Sequence, residues 1–151
     1  EYPTRMSHSD FDEWKKIVTE VIDKENPSVV VTFDHSGWTG HPDHIISSVE
    51  VMNILKKYPE ITLLWPALDP EGKKWVNEEV RDIMPMANVS FKLGKKRRLI
   101  LYRAANCYRS QRFSDKKLMP ILRIILGWKA EWYHKVDMKK EYKHKFVKFD
   151  I

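Results

Sequence analysis

Two histidines and an aspartate lie within four residues of one another. His41 and His44 are three positions apart, and Asp43 lies between them. On a helix this spacing places both imidazoles on one face. Imidazole nitrogen and carboxylate oxygen are common zinc ligands, and a catalytic zinc site needs three protein ligands with a fourth position left to water. The pair therefore indicates a metal site, although two histidines on one helix also arise by coincidence or as helix caps.

The residue types alone leave several roles open. His44 is a candidate zinc ligand. His41 is either a second ligand or an unbound imidazole that stabilises an oxyanion or protonates a leaving amine. Asp43 is predicted in the first helical turn, where the helix dipole favours its charge. Asp34, at the end of the preceding strand, is a further carboxylate within reach.

The segments around this cluster predict a strand, a loop and a helix. The run SVVVTF at 28–33 is apolar and β-branched, which is typical of a parallel strand that is covered on both faces. A predicted loop from Gly37 to Gly40 follows, and Pro42 begins a helix that ends near Tyr58. Open α/β sheets bind ligands at the carboxyl ends of such strands, so the cluster lies where a crevice is expected.

The rest of the chain predicts an α/β fold. A helix precedes the first strand, and a second strand at 61–68 follows the central helix. Strand, helix and strand in this order indicate a right-handed crossover and a parallel pair. Periodicity predicts three further helices and two further strands, the helices at 72–84, 95–113 and 114–127 and the strands at 87–93 and 129–136.

Length and composition favour a single globular domain. We place this domain at 1–137, followed by a basic tail at 138–151. Hydrophobic residues make up 42% of the chain, which is enough to form a core. The one cysteine, Cys107, excludes an intramolecular disulfide and a cysteine-rich zinc finger, and it fits a reducing compartment. Without an apolar run of membrane-spanning length or a signal-peptide pattern, we expect a cytoplasmic protein.

The net charge of +6 comes largely from two basic runs, KKRR at 95–98 and the Lys-rich tail. Aromatic residues interleave the tail at Tyr142, Phe146 and Phe149. This composition suits a nucleic-acid stacking patch or an arm on an anionic membrane. We favour a solvated surface, because most charge runs in globular proteins are solvated.

The segment VVVTFDHSGWTGHPDH at 29–44 resembles the second signature of the LmbE/PIG-L family of zinc-dependent N-deacetylases. Family members carry a strand, an Asp-containing Gly-rich loop and then G-H-P-D-H at the start of a helix. The resemblance implies that His44 is a zinc ligand, that His41 is the catalytic imidazole beside the substrate carbonyl, and that Asp43 is a supporting carboxylate. It also implies a Rossmann-like, three-layer α/β/α fold with a mostly parallel sheet.

Two later segments extend the resemblance to about residues 10–136. The segment at 101–113 is similar to a family helix that reads K-x-x-A-x-x-x-H-x-S-Q. Three positions match this pattern and two differ, the matches being Ala104, Ser110 and Gln111 and the differences Leu101 and Tyr108. The segment ILGWKAEWYHKV at 125–136 resembles the closing Glu-aromatic strand of the family.

One family motif is missing from these 151 residues. Family members begin with a strand followed by an H-P-D-D-E motif, whose His and one Asp complete the zinc site while the other Asp acts as general base. Here His8 is followed by Ser9 and Asp10 with no apolar strand before it, so those roles are not transferred. The resemblance therefore implies an incomplete copy of the fold without its first strand. The missing motif lies upstream, lies in another chain, or has been lost.

The function that the resemblance implies is hydrolysis of the acetamide in an N-acetylglucosamine-type conjugate, with Zn²⁺ activating a water molecule. Asp34, Trp38 and Thr39 border the predicted site and are candidates for substrate contact. A tryptophan in such a loop is more often a core anchor. The alternative function is that of a non-catalytic binding module of the same fold, which binds a glycan or an anionic partner.

Overall fold

The computed structural model describes residues 8–40, 42–68, 81–107, 129–140 and 142. The helices are α1 (His8–Glu25), α2 (Gly37–Gly40), α3 (Pro42–Leu55) and α4 (Lys95–Cys107), and the strands are β1 (Val29–Val31), β2 (Thr62–Pro66), β3 (Val89–Lys92) and β4 (Ala130–Lys135). The predicted helix at 114–127 and most of that at 72–84 lie outside the described residues. The chain divides into two compact units, residues 1–88 with 133–151 and residues 89–132.

The strands form one mixed sheet in the order β1-β2-β4-β3. The predicted parallel pair is confirmed, because β1 runs parallel to β2 with Val30 opposite Leu63. The α/β class is also confirmed, but the mostly parallel sheet is not. β4 runs antiparallel to β2, with Trp65 opposite His134. The reason is geometric: β4 enters the sheet beside Pro66, at the end where β2 leaves it, and so runs back along β2.

The core of the larger unit is built around β2. Leu63 and Trp65 are exposed by only 1% and 0%. Helix α3 covers this strand with side chains that recur at helical spacing, Val51, Ile54 and Leu55. Ile22 of α1 and Val136 complete the buried cluster. The apolar spacing of the two helices therefore explains why the predicted strand at 61–68 is buried, as expected from its composition.

The predicted burial of the first strand on both faces is wrong. Val29 and Val31 are exposed by 47% and 52%, and only Val30 between them is half-buried. Among the described strands β1 lies at the edge of the sheet. Thr62 N–H donates to the Ser28 carbonyl, so alternate residues of this segment face β2 and the backbone groups of Val29 and Val31 point away from it.

Two smaller differences concern the segment after β1. The predicted loop from Gly37 to Gly40 is a single helical turn, α2. The helix that follows ends at Leu55 instead of near Tyr58, and the chain then turns, with Tyr58 N–H donating to the Leu55 carbonyl. Pro59 keeps the helix from resuming after this turn, since it disfavours helical geometry in Tyr58 before it.

The smaller unit contains β3, the first half of β4 and α4. Leu93 is buried, and its N–H donates to the Lys129 carbonyl. Helix α4 begins at Lys95 as predicted, and its described part ends at Cys107. Large aliphatic side chains on it are exposed, Leu99 by 50% and Ile100 by 63%. Of the helices that the structure describes, none has the length and apolar character needed to cross a membrane.

Candidate functional site

The segment between β1 and α2 is held by a buried carboxylate. Asp34 is fully buried, and its Oδ1 accepts a hydrogen bond of 2.6 Å from the backbone N–H of Ser36 and a short one from the Ser36 hydroxyl. Gly37 N–H donates to the Asp34 carbonyl at 2.9 Å. A side chain that accepts from the backbone two residues later is the usual way in which Asp closes a tight turn. The carboxylate of Asp34 thus fixes the path of the chain into α2.

Gly37 allows the turn to approach α3 closely. Its φ is +63°, in the left-handed region that glycine adopts without steric cost. A Cβ at this position would lie 2.9 Å from Cγ1 of Ile45 and 3.1 Å from Cβ of His44. Both the dihedral angle and the close contact therefore require glycine here.

His44 is oriented by this close approach. Its Nδ1 lies 3.0 Å from the Gly37 carbonyl oxygen. Because a carbonyl can only accept, Nδ1 must carry the proton, and in the neutral ring Nε2 then holds the lone pair. The ring also stacks on Phe33, with 3.9 Å between centroids and 7° between planes. A hydrogen bond and a ring contact thus fix both the tautomer and the plane of the imidazole.

This arrangement fits His44 as one ligand of a zinc ion. Metal-binding histidines commonly donate their second ring N–H to a backbone carbonyl or carboxylate, which sets the tautomer and makes the ligand nitrogen more basic. The Gly37 carbonyl has this position. Among the described residues no group of three or more His, Cys, Asp or Glu side chains is placed to hold a metal. The donors of the described chain therefore supply one fitting ligand rather than a complete set.

The other predicted site residues are placed in part. Asp43 is exposed in the first turn of α3, as predicted. Trp38 and Thr39 belong to α2, and His41 lies outside the described residues. Asp34 is buried behind the turn that it closes. The chemical roles assigned to all of these residues stay predictions.

A cluster of aromatic rings beside the turn was not predicted. The buried ring of His35 lies 5.2 Å from that of Trp65 and 5.3 Å from that of Tyr142, between centroids. Trp65 and Tyr142 meet edge to face at 4.7 Å, a favourable aromatic geometry. His134 completes the cluster, stacked 6.1 Å from Trp65. The ring of Tyr142, although it follows the last strand, thus packs against the strand at the centre of the core.

Hydrogen bonds run through this cluster in one direction. His134 Nδ1–H donates to the Met86 carbonyl at 2.7 Å, so His134 Nε2 is the acceptor nitrogen in the neutral ring. The Tyr142 hydroxyl lies 3.4 Å from this nitrogen and accepts the Asp137 N–H at 3.0 Å. The hydroxyl therefore acts as donor to the histidine and acceptor from the backbone.

Sequence reasoning missed His35, Phe33 and Tyr142 for identifiable reasons. His35 directly follows Asp34 in the strand-end segment, so its position was a signal that could have been used. Phe33 precedes Asp34 and lies eleven residues from the His44 ring on which it stacks. No spacing rule links those two positions. Tyr142 lies in a basic segment whose composition resembles a solvated tail.

Three curated proteins illustrate what the chain is similar to. It is 37% identical over 71 residues to the 1D-myo-inositol 2-acetamido-2-deoxy-alpha-D-glucopyranoside deacetylase 2 of Saccharopolyspora erythraea, over 46% of this chain and 24% of the relative. It is 35% identical over 46 residues to the "Probable N-acetylglucosaminyl-phosphatidylinositol de-N-acetylase" of Schizosaccharomyces pombe, over 30% of this chain and 18% of the relative. A deacetylase of Thermomonospora curvata, with the same name as the first but without the number, is 38% identical over 45 residues, 30% of this chain and 15% of the relative.

The similarity is partial in extent. The chain spans about a quarter of the length of the first of these relatives, 24%, and less of the other two. No family model matches the chain, and no solved structure matches it. The names of all three relatives describe the removal of an acetyl group from an acetamido sugar, which is the reaction that the signature at 29–44 led us to expect.

Proposed function

We propose that this chain carries part of the active site of a zinc-dependent N-deacetylase of the LmbE/PIG-L type. The observation that carries the proposal is the fixed imidazole of His44, whose Nδ1–H is donated to the Gly37 carbonyl at 3.0 Å. This bond selects the tautomer in which Nε2 can coordinate a metal. The names of the partial relatives support the reaction class.

The proposal gives each residue of the signature a separate task. His44 binds the zinc ion. His41 stabilises negative charge on the acetamide oxygen or protonates the leaving amine. Asp43, in the first turn of α3, stabilises the protonated form of that imidazole. The Zn²⁺ ion, when bound, supplies a Lewis acid and a water molecule of lowered pKa.

The proposed substrate is an N-acetylglucosamine-type conjugate. The acetamido sugars in the names of the relatives support this class. Trp38 and Thr39 lie in α2, directly after the turn, and we assign them to the sugar. Asp34 accepts hydrogen bonds from Ser36, so we assign its contribution to the shape of the turn that presents α2.

The remaining metal ligands would come from outside the present sequence, from a complementary N-terminal segment or a second chain. The edge position of β1 supports this proposal. Val29 and Val31 are about half exposed and direct their backbone groups away from β2, so a further strand can pair there. A parallel strand beside β1 would end next to the Asp34 turn and would extend the sheet toward the Rossmann-like arrangement that the resemblance implies.

Zinc binding tests the ligand assignment. We expect the purified chain to bind Zn²⁺ weakly in competition with a colorimetric chelator, because it supplies only part of the ligand set. His44→Ala removes the ligand itself and should abolish this zinc binding. His134→Ala is the matched control, since His134 is also half-buried and bonded through Nδ1 to a carbonyl. Equal zinc binding by wild type and His44→Ala would reject His44 as a ligand.

Acetate release tests the reaction. An N-acetylglucosamine conjugate is incubated with the chain alone and with the chain extended by a complementary N-terminal segment, each with added zinc. The proposal expects release only from the extended protein and its loss in His41→Ala. Stoichiometric zinc in the extended protein without acetate release would contradict the catalytic function. It would favour the alternative of a non-catalytic binding module. Calorimetry would then measure whether the protein binds the glycan.

A further inference from the structure

Helix α4 exposes aliphatic and basic side chains on the same surface. Leu99 and Ile100 are exposed by 50% and 63%, and Lys95, Lys96 and Arg103 are also exposed. At about 100° per residue, these five side chains follow one another round an arc of about 140°. The order round the arc is Lys95, Leu99, Arg103, Lys96 and Ile100. The surface therefore mixes three long cations with two large apolar groups.

The charged side chains of α4 are all positive, and most of them lie at the N-terminal end of the helix, which is the positive end of its dipole. The helix contains five basic residues and no acidic residue. Four of the basic residues, at 95–98, lie in its first turn, where the helix dipole already contributes positive potential. In the described part of the chain, none of Lys95, Lys96 and Arg97 forms an ion pair. The charges of Lys95, Lys96 and Arg97 therefore destabilise the helix unless a negative partner lies against it.

The apolar residues on the arc distinguish between negative partners. Surfaces that bind single-stranded nucleic acids stack the bases on aromatic rings, whereas Leu99 and Ile100 are aliphatic. Aliphatic side chains can enter the boundary between lipid headgroups and acyl chains, while flanking Lys and Arg side chains extend to the phosphates. The combination on α4 fits a lipid surface better than a nucleic acid.

We propose that this arc of α4 binds the surface of an anionic phospholipid membrane. The lysines and arginines contact the lipid phosphates and carboxylates, and Leu99 and Ile100 insert beneath the headgroups. The helix lies in the plane of the interface, since among the described helices none can cross a bilayer. The binding surface involves only residues of the smaller unit and does not depend on the proposed deacetylase site.

Vesicle flotation with the full chain tests the proposal. Vesicles of phosphatidylcholine with about 30% phosphatidylserine should bind the chain, and vesicles of pure phosphatidylcholine should bind it at least about tenfold more weakly. Binding should weaken as NaCl rises, because salt screens the charges. Equal binding to both vesicle types, or binding to neither, would overturn the proposal. Displacement of the chain from the vesicles by single-stranded RNA, added at a nucleotide concentration equal to the lipid concentration, would also overturn the proposal.

Two variants separate the contributions of charge and insertion. The triple variant Lys95→Gln, Lys96→Gln, Arg103→Gln removes the three cations of the arc and should lower vesicle binding by about a hundredfold. Its control, Lys16→Gln, Lys56→Gln, Lys57→Gln, lowers the net charge equally at exposed lysines of the larger unit and should retain most of the binding. Leu99→Ser with Ile100→Ser should lower binding by about tenfold. Equal loss in the control triple variant would show that only net charge matters and would overturn the assignment to α4.

The single cysteine provides a local readout that does not depend on affinity. Cys107 is exposed on α4, seven residues after Ile100 and therefore on the same side of the helix. An environment-sensitive fluorophore on Cys107 should shift to the blue when anionic vesicles are added. The control carries the label at Lys57→Cys in a Cys107→Ser background, on the exposed turn after α3, and should not shift. A shift only at the control position would place the lipid contact elsewhere and contradict the proposal.

Discussion

Strands β1 and β2 have similar apolar sequences and different surroundings. The three valines of β1 pair in parallel with Thr62, Leu63 and Leu64 of β2. Trp65 of β2 is fully buried, while Val31 of β1 is exposed by 52%. The difference arises because β2 has a neighbour on each side, and β1 has one on a single side among the described strands. Apolar composition thus predicts that a segment is a strand, whereas its neighbours decide how much of it is buried.

The largest loss of stability should come from shortening the buried side chain of Trp65 in β2, and the exposed side chain of Val31 in β1 provides the comparison. Trp65→Ala removes a side chain with 0% exposure and leaves a cavity, so we expect the free energy of unfolding to fall by about 3–5 kcal/mol. Val31→Ala should cost about 0.5 kcal/mol or less, because half of the side chain is already in water. Urea unfolding of both variants gives the values. Equal losses would mean that β1 is as buried in solution as β2.

The turn that leaves β1 should be the next most sensitive point. Gly37→Ala forces a Cβ to within 2.9 Å of Ile45 at a φ of +63°, and we expect a loss of about 1–3 kcal/mol. Gly94→Ala is the matched control, because a Cβ there meets open space. If the two variants unfold at the same urea concentration, the close approach of the turn to α3 is not required.

The hydroxyl of Tyr142, whose ring packs on Trp65, should contribute less to the free energy of unfolding. Tyr142→Phe keeps the edge-to-face contact at 4.7 Å but removes the hydroxyl that accepts the Asp137 N–H. The variant also loses the hydrogen bond from this hydroxyl to His134 Nε2. We therefore expect a loss of about 1–2 kcal/mol, the usual net value of two hydrogen bonds. Near-ultraviolet circular dichroism should keep the tryptophan signal in this variant. Loss of that signal would show that the hydroxyl, and not the ring, maintains the cluster.

The smallest effect concerns pH and the turn that leads into β2. The pKa of Tyr58 is raised above 10.0 chiefly because its hydroxyl donates to the Asp23 carboxylate, at 2.6 Å. A raised pKa in the folded state stabilises the fold below the unfolded pKa, and this contribution is lost as pH rises through the folded pKa. As pH rises above about 10, the free energy of unfolding of the wild type should therefore fall. Tyr58→Phe lacks the hydroxyl and should not show this fall. Alkaline unfolding curves that coincide at every pH would contradict this.

Periodic patterns predicted the elements well. The spacing of Ile45, Val49, Met52 and Leu55 predicted a helix between two strands, and α3 is that helix. It packs Val51, Ile54 and Leu55 into the buried cluster around β2. The strand-helix-strand order predicted the parallel pair of β1 and β2. These predictions succeeded because local side-chain spacing is itself what drives an amphipathic helix onto a sheet.

Features that depend on distant neighbours were not predictable in this way. The alternation at 129–136 predicted β4 as a strand, but its direction depends on where the chain re-enters the sheet, which is set beside Pro66. In the site, the spacing of His41 and His44 predicted a helical position for His44. The carbonyl that fixes its ring belongs to Gly37, and that contact depends on a positive φ and on a missing Cβ that only the folded turn reveals.

The shortness of β1 also affects how the chain avoids self-association. An exposed strand edge is a template on which other chains can polymerise, and natural proteins often protect such edges by keeping them short. β1 is three residues long and offers only the backbone groups of Val29 and Val31 to a newcomer. A strand from an unrelated chain therefore forms few ladder bonds there. Among the described strands, the short edge of β1 therefore limits aggregation by offering few ladder bonds.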